Sequence, residues 1–120
     1  MTDYIQTLPL DIQSMLNDFI LIMQEHYGAA LHSILLYGSY ARGEAHEESD
    51  IDVLLVLDKK EVDIYEELTD IISLTYDLDI EYSQALSVFP TSLVNWVNSY
   101  SFFTKQVKKD SIYLWTNILA

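Results

Sequence analysis

The sequence predicts an α+β domain in which a small mixed β-sheet is backed by helices. Three observations lead to this prediction: an amphipathic helix pattern near the N-terminus, two continuous apolar runs of strand length, and a second helix pattern that separates the second run from a third strand. The chain has 120 residues, of which 50% are hydrophobic. This length allows one core but not two domains of ordinary size, so we expect one domain over residues 1–120.

The first predicted helix covers residues 11–27 and ends near Gly28. The first strand is predicted at Leu31–Tyr37, which breaks at Gly38-Ser39, leads into a short helix at residues 40–43 and is followed by a polar loop over residues 44–49. The apolar residues of the first helix recur at helical spacing and predict one buried face; they are Ile12, Met15, Leu16, Phe19, Ile20 and Met23.

The second strand is predicted at Ile51–Leu57, with a helix at residues 60–75 after it. A third strand is predicted at residues 76–86, which carry three acidic residues at alternating positions. Pro90 is expected to break the chain before a helix at residues 91–100, and another helix is predicted at Phe102–Asp110. The predicted order is α-β-β-α-β-α.

The chain is strongly acidic, with 19 acidic against six basic residues and a net charge of -13. Such a field repels a phosphate backbone, so a long nucleic-acid substrate is disfavoured. The same charge either attracts a basic protein surface or simply keeps the protein soluble.

The sequence contains no cysteine, which excludes disulfides and zinc sites built on thiolates. The first ten residues lack a basic leader followed by an apolar core, and the longest apolar runs are far shorter than a membrane span. We therefore expect a soluble, unprocessed cytoplasmic protein without a membrane partner.

Two acidic residues, Asp50 and Asp52, stand at the start of the otherwise apolar second strand. Side chains two residues apart on a strand point to the same face, so both carboxylates are expected to converge. Like charges beside a core raise each other's pKa unless a cation neutralises them. Oxygen ligands favour a hard ion such as Mg²⁺, which points to phosphoryl or nucleotidyl transfer. The plainer alternative is a solvated strand end.

Gly38 and Ser39 follow the first strand and lead into the short predicted helix. Such a turn exposes backbone N–H groups with room for a phosphate, and Ser39 adds a hydroxyl donor. The alternative role for Ser39 is that of a helix cap. Arg42 is either a further phosphate contact or a cation that braces the loop.

The combination of Gly38-Ser39, ten intervening residues and Asp50-x-Asp52 resembles the signature of the polymerase-β-like nucleotidyltransferase superfamily. Ala41-Arg42-Gly43 and Ser49-Asp50-Ile51-Asp52 match the fuller form of that motif, and the chain is most similar to the superfamily's minimal members. The resemblance covers residues 31–86. It implies the polymerase-β-like fold, Mg²⁺ as cofactor and a nucleoside triphosphate, ATP, as donor.

The resemblance also implies a third carboxylate on a later strand. Asp77, Asp79 and Glu81 are the candidates, because all three fall on one face of the predicted third strand. Asp79 is favoured, since its apolar-Asp-apolar setting is similar to that of the family, and Glu81 is the second choice. In this interpretation Asp50, Asp52 and Asp79 hold the metal, Gly38, Ser39 and Arg42 contact the nucleotide, and Asp79 is the catalytic base.

The acceptor site is expected to be shared with another protein, because the chain has no room for a second domain. The resemblance to minimal nucleotidyltransferases paired with helical HEPN toxins implies an antitoxin that transfers AMP from ATP to a tyrosine of the toxin, within a hetero-oligomer. Two alternatives stay open: a catalytically inactive antitoxin that occludes its partner, and the catalytic half of a split antibiotic nucleotidyltransferase.

Overall fold

The computed structural model describes residues 3–117. None of the helices in this range is long and apolar enough to span a membrane. Short 3₁₀ turns at Asp3–Thr7 and Gly28–Ala30 precede the first helix and the first strand. In chain order the elements are α1 (Leu10–Tyr27), β1 (Leu31–Tyr37), α2 (Gly38–Arg42), β2 (Ile51–Leu57), α3 (Ile64–Tyr82), β3 (Leu86–Ser92), α4 (Leu93–Asn98), α5 (Phe102–Asp110) and β4 (Ile112–Thr116).

The described strands form one mixed sheet in the order β3-β2-β1-β4. β1 pairs antiparallel with both β2 and β4, whereas β2 pairs parallel with β3. α3 supplies the crossover that a parallel pair requires. The predicted α+β class with a small mixed sheet backed by helices is confirmed.

Helices cover both faces of this sheet, and side chains of β2 alternate between them. Val53 is buried on the face covered by α1 and α3. Leu54 is buried on the other face, where it packs with Val107 of α5 and Trp96 of α4. Because successive side chains on a strand point to opposite faces, Asp52 shares the face of Leu54. The face covered by α4 and α5 is therefore the one that carries Asp52.

The first half of the predicted element order is confirmed. α1 begins one residue before its predicted start, and β1, β2 and α5 have their predicted bounds. Gly28 follows α1 with a φ of 54°, a conformation that glycine adopts without strain. The buried residues of α1 are the six predicted from its periodicity, Ile12, Met15, Leu16, Phe19, Ile20 and Met23.

The predicted strand at residues 76–86 is wrong. Residues 76–82 continue α3, and β3 begins only at Leu86. The alternating acidic residues of this stretch fit a strand, but its buried residues follow a helical pattern. Ile71, Thr75 and Leu78 are buried at spacings of four and three residues. Burial of this stripe between α1 and the sheet stabilises the helix over the strand. All three candidates for the third carboxylate therefore lie on a helix, namely Asp77, Asp79 and Glu81.

Three further features differ from the prediction. Pro90 lies inside β3 rather than at a chain break, and β3 is an edge strand, where a residue without an N–H is tolerated. α4 covers Leu93–Asn98, which is shorter than the helix predicted at residues 91–100. β4, which pairs with β1 at the other edge of the sheet, was not predicted from the sequence.

Candidate active site at the start of the second strand

Asp50 and Asp52 lie at the N-terminal end of β2. Asp50 is exposed and directly precedes the strand, whereas Asp52 is half-buried as its second residue. Burial raises the pKa of Asp52, the negative charge of Asp50 raises it further, and the positive charge of Arg42 opposes both effects. The two carboxylates therefore repel each other across a short distance, in a setting that a cation would stabilise.

Gly38 begins α2 immediately after β1 and lies against Asp52. Its φ is 75°, a left-handed conformation that side chains with a Cβ rarely adopt. An added Cβ at position 38 would overlap the Asp52 carboxylate, with Asp52 Cγ only 3.0 Å away. Glycine is therefore required here for two independent reasons, the backbone conformation and the close approach of the acid.

Tyr37 forms the other neighbour of Asp52. The two residues are paired across the antiparallel β1–β2 ladder. Burial, followed by the negative charge of Asp52, raises the pKa of Tyr37 to about 12, so its hydroxyl stays protonated at neutral pH. The Tyr37 ring contacts Phe103 of α5 edge-on, with ring centroids 5.7 Å apart. Tyr37 thus connects the aspartate to the helix that faces it.

A cleft of about 390 Å³ opens between this strand end and α5. Four residues singled out by the sequence analysis meet in it, and α5 supplies the facing wall. A larger cavity of about 510 Å³ lies between the start of α1 and the loop over residues 43–47. Neither Asp50 nor Asp52 lines it. We assign the site to the smaller cleft, because it holds the motif residues. Its lining consists of Tyr37, Gly38, Ser39, Arg42, Asp52, Phe103, Gln106, Val107 and Asp110.

Arg42 at the end of α2 joins this cleft to α5. Its Nε donates a hydrogen bond to Glu44 Oε1 at 2.7 Å, and its Nη1 lies 3.7 Å from Asp110 Oδ2. Gln106 also donates to Asp110 Oδ2, at 3.0 Å. The loop-bracing role considered for Arg42 is therefore present in the structure, while the guanidinium still borders the cleft.

Asp79 does not join Asp50 and Asp52 through a third strand. It lies on α3, which packs on the sheet face opposite to Asp52. Burial raises the pKa of Asp79, and the Asp79 carboxylate accepts a hydrogen bond from the backbone N–H of Leu86 at 3.4 Å. Within residues 3–117, no group of three or more metal-binding side chains occurs. The placement predicted for Asp79 was wrong because the predicted strand is a helix.

Ser87 occupies the position beside Asp52 on β3. Their Cα atoms are paired in the parallel β2–β3 register, so the two side chains point to the same face. Ser87 is exposed, so the β3 position beside Asp52 carries a hydroxyl rather than a carboxylate. Neither Ser87 nor the α5 residues that line the cleft were predicted from the sequence, since strand register and helix packing are not local properties of the sequence.

The donor set at this site fits Mg²⁺. Asp50 and Asp52 supply hard oxygen ligands, and burial followed by the negative charge of Asp50 raises the pKa of Asp52 despite the opposing charge of Arg42. A magnesium ion usually keeps further positions for water and substrate phosphates. Two protein carboxylates beside an open cleft are compatible with this way of binding.

The sequence model of the nucleotidyltransferase domain family matches residues 16–113. The chain belongs to this family. The match includes α2, β2 and both aspartates, so the nucleotidyltransferase membership predicted from the Gly-Ser and Asp-x-Asp pattern is confirmed.

Two related proteins of Methanocaldococcus jannaschii carry the names "Putative protein adenylyltransferase MJ1305" and "Putative protein adenylyltransferase MJ1379". MJ1305 is 34% identical over 82 residues, which is 66% of this chain and 52% of MJ1305. The chain thus spans about half the length of that relative. MJ1379 is 29% identical over 105 residues, which is 87% of this chain and 95% of MJ1379.

Solved structures share the fold at low sequence identity. A crystal structure of a toxin–antitoxin with AMP-PNP has a TM-score of 0.59 at 20% identity. The aligned region covers 83% of this chain and 73% of the chain in that structure. A crystal structure described as "a putative nucleotidyltransferase from Sulfolobus solfataricus" has a TM-score of 0.55 at 19% identity. The aligned region covers 92% of this chain and 91% of the chain in that structure. These likenesses support the nucleotidyltransferase fold.

Proposed function

We propose that this protein is a Mg²⁺-dependent nucleotidyltransferase that moves AMP from ATP onto a tyrosine of a HEPN-type toxin and thereby acts as an antitoxin. The observation that carries the proposal is the meeting of Gly38 and Asp52 in one cleft of a nucleotidyltransferase domain. The names of the Methanocaldococcus relatives and the toxin–antitoxin with AMP-PNP support the same reaction class. Since ATP is the donor, the proposal places the protein in the cytoplasm.

Five residues of the chain form the proposed site for the metal and the triphosphate. Asp50 and Asp52 would hold the metal, and Gly38 leaves room for the Asp52 carboxylate beside the turn because it has no side chain. Ser39 donates its hydroxyl to a phosphate oxygen, and Arg42 attracts the phosphates from the rim of the cleft. When bound, Mg²⁺ neutralises the carboxylates and the charge that develops on the phosphates. These five residues together orient the α-phosphorus toward the acceptor.

The transfer is a substitution at that phosphorus. The tyrosine oxygen of the acceptor bonds to the α-phosphorus, the bond from this atom to the oxygen bridging to the β-phosphorus breaks, and pyrophosphate leaves. The phenolic proton passes to water in the open cleft. Asp79 takes no part in this proton transfer, because it lies on α3, which packs on the sheet face opposite to Asp52.

We place the docking surface for the protein acceptor on α3. Its solvent-facing side carries four large apolar residues that are between 60% and 83% exposed and recur at spacings of seven, four and four residues. We call these four residues the α3 ridge. Contiguous apolar exposure of this kind is typical of a protein-binding surface. The α3 ridge consists of Tyr65, Ile72, Tyr76 and Ile80.

The charges around the α3 ridge indicate the chemistry of the partner. α3 contains no lysine or arginine, and a row of acidic residues flanks the ridge on one side. A partner that covers the ridge therefore needs apolar side chains with basic residues beside them. The flanking residues are Glu66, Asp70, Asp77 and Glu81.

The α3 ridge borders the edge strand β3 of the sheet. A groove of about 290 Å³ runs between α3 and the edge strand β3, and both Ile72 and Tyr76 of the ridge line it. Ser87 lies in the same groove and is paired with Asp52 across the β2–β3 register. A toxin docked on the ridge therefore lies beside the β3 edge of the sheet, one strand away from Asp52.

The same surface favours one alternative, an antitoxin that neutralises its partner by occlusion alone. Binding through the α3 ridge requires no chemistry, and the described residues offer two carboxylates rather than three at the strand end. The two functions differ in whether the partner gains mass.

The deciding experiment incubates the purified protein with labelled ATP, Mg²⁺ and a HEPN-type toxin, and compares it with the variant Asp50→Asn/Asp52→Asn by intact mass spectrometry. The proposal predicts that the toxin gains one or more AMP units only with the wild-type protein, on a tyrosine. A stable complex without any mass gain would support the occlusion alternative and overturn the transferase.

A further inference from the structure

A second cavity lies next to the aspartate cleft on the same face of the sheet. It measures about 270 Å³ and is enclosed by β2, β3, α4 and the first turn of α5. Three aromatic rings and one amide side chain contribute to its walls. The residues on which the following inference rests are Leu54, Phe89, Thr91, Asn95, Trp96 and Phe103.

Phe103 joins the two cavities, because its ring lines both of them. On the side of the aspartate cleft the ring contacts Tyr37, and on the other side it contacts Phe89 with centroids 5.2 Å apart. The side chain is 41% exposed, so part of the ring is open to solvent or to a ligand. Phe103 therefore forms the boundary that the two cavities share, and a ligand that occupies both contacts its ring.

The spacing along the strands matches the length of a nucleoside. Leu54 in the floor of the second cavity is two residues beyond Asp52 on the same face of β2, a separation of about 7 Å at the rise of a strand. Phe89 is paired with Leu54 in the adjacent strand. This separation is comparable to that between an α-phosphorus and a base across the ribose.

The walls of the cavity have the chemistry of a base site. Flat aromatic rings such as Trp96 and Phe103 stack with nucleobases, and an asparagine amide carries the donor and acceptor pair that the edge of adenine complements. Asn95 is held in place, since its Nδ2 donates to Thr91 Oγ1 at 3.0 Å and its backbone N–H donates to Ser92 Oγ at 3.1 Å. The two adjoining cavities, of about 390 and 270 Å³, have the size of a nucleotide site.

We propose that this second cavity binds the base of the donor nucleotide and selects adenine, with Phe103 and Trp96 as stacking surfaces and Asn95 as the group that reads the base edge. The inference rests on the proposed function, because it requires the triphosphate to lie at Asp52. It adds a specificity site that neither the Gly-Ser nor the Asp-x-Asp motif contains.

The chain offers two matched pairs for the test. Asn95 and Asn98 are both exposed asparagines of α4, and only Asn95 lines the cavity. Phe103 and Phe102 are neighbours at the start of α5, and Phe102 is 83% exposed and outside both cavities. The variants are therefore Asn95→Ala against Asn98→Ala and Phe103→Ala against Phe102→Ala, each checked for an unchanged thermal midpoint.

The measurement is isothermal titration calorimetry with Mg²⁺ and three probes: a non-hydrolysable ATP analogue, the matching CTP analogue and inorganic tripolyphosphate. We expect the wild-type protein to bind the ATP analogue about tenfold more tightly than the CTP analogue, because the side-chain amide of Asn95 complements the edge of adenine and not that of cytosine. Phe103→Ala should weaken the ATP analogue about tenfold and leave tripolyphosphate unchanged. Asn95→Ala should reduce the preference for the ATP analogue, whereas Phe102→Ala and Asn98→Ala should match the wild type.

Equal affinity of the wild-type protein for all three probes would overturn the base site while leaving the proposed transferase intact. Identical behaviour of Asn95→Ala and Asn98→Ala would remove Asn95 from the recognition of the base edge. If neither the nucleotides nor tripolyphosphate bind, the proposed function fails and the base site fails with it.

Discussion

Gly38 and Asp52 lie so close together that no side chain fits between them. The backbone of Gly38 has a φ of 75°, and Asp52 Cγ would be 3.0 Å from a Cβ at position 38. The residues are 14 positions apart in the sequence and meet because β1 and β2 pair with Tyr37 opposite Asp52. The short distance between the Gly38 backbone and the Asp52 carboxylate determines the shape of the cleft.

Gly38→Ala should reduce transfer strongly, while Gly28→Ala should not. Both glycines have positive φ, so each substitution introduces backbone strain of about 1–2 kcal/mol. An alanine at position 28 meets nothing within 4 Å, but one at position 38 displaces the Asp52 carboxylate. A misplaced catalytic group lowers turnover about 100-fold. Urea unfolding should show losses of similar size for both variants, and turnover assays should separate them; full turnover by Gly38→Ala would contradict this account.

Asp79→Asn should retain turnover within about threefold, a change of less than about 1 kcal/mol in transition-state stabilisation. The reason is its place on α3, on the other side of the sheet from Asp52. Asp52→Asn should lower turnover about 100-fold or more, as loss of a group that stabilises developing charge does. Equal losses for the two variants would show that Asp79 acts in the site after all, and steady-state kinetics with a HEPN-type toxin as acceptor give the comparison.

Glu67 should stabilise the fold in its ionised form. It is 5% exposed, and its carboxylate accepts hydrogen bonds from Lys59 Nζ at 2.5 Å and Tyr27 Oη at 2.8 Å. Burial pushes the pKa of Glu67 upward, but the hydrogen bonds of Lys59 and Tyr27 outweigh burial and lower it below its usual 4.5. Glu67→Gln should therefore lower the free energy of unfolding at pH 7 by about 1–3 kcal/mol.

The pH dependence of this effect has a definite sign. A carboxyl with a lowered pKa in the folded state contributes stability above its unfolded pKa and loses it as the pH falls through the folded value. The stability difference between wild type and Glu67→Gln should consequently shrink below pH 4.5. Urea unfolding at pH 7 and at pH 4 checks this, with the exposed Glu61→Gln as control. A difference that stays constant between the two pH values would exclude the ionised carboxylate as the cause.

The α3 ridge should be needed for the toxin and not for the fold. Ile72→Ser/Tyr76→Ser removes two exposed apolar side chains, so the thermal midpoint should stay close to that of the wild type. Its affinity for a HEPN-type toxin should fall about tenfold or more, since exposed apolar anchors dominate such interfaces. Val94→Ser/Val97→Ser removes two equally exposed residues of α4 and serves as the control. Equal affinity of both double variants in calorimetry would place the docking surface elsewhere.

The first half of the fold was predictable because its signals are local. A helical stripe, two apolar runs and a glycine between them define α1, β1, the turn and β2, and these elements form as predicted. The same is true of the motif residues Gly38, Ser39, Arg42 and Asp52, which meet in one cleft. Their spacing along two adjacent antiparallel strands brings them together without help from distant parts of the chain.

The errors concern residues whose neighbours are distant in sequence. Residues 76–82 satisfy both a strand and a helix pattern, and only burial of Thr75 and Leu78 against the rest of the core selects the helix. The place of Ser87 beside Asp52 depends on the register of β3, and the contribution of Phe103 depends on how α5 packs. Neither the register nor the packing leaves a periodic signal in the sequence.

The most direct test of the central claim is a calorimetric titration of Mg²⁺ with a non-hydrolysable ATP analogue into the wild-type protein and into Asp50→Asn/Asp52→Asn. We predict metal-dependent binding to the wild type and its loss in the variant, with thermal unfolding showing that the variant is folded and is not destabilised, because a repulsion between two carboxylates has been removed. Equal affinity of both proteins for the Mg²⁺-nucleotide would contradict the assignment of Asp50 and Asp52 as the metal and nucleotide site.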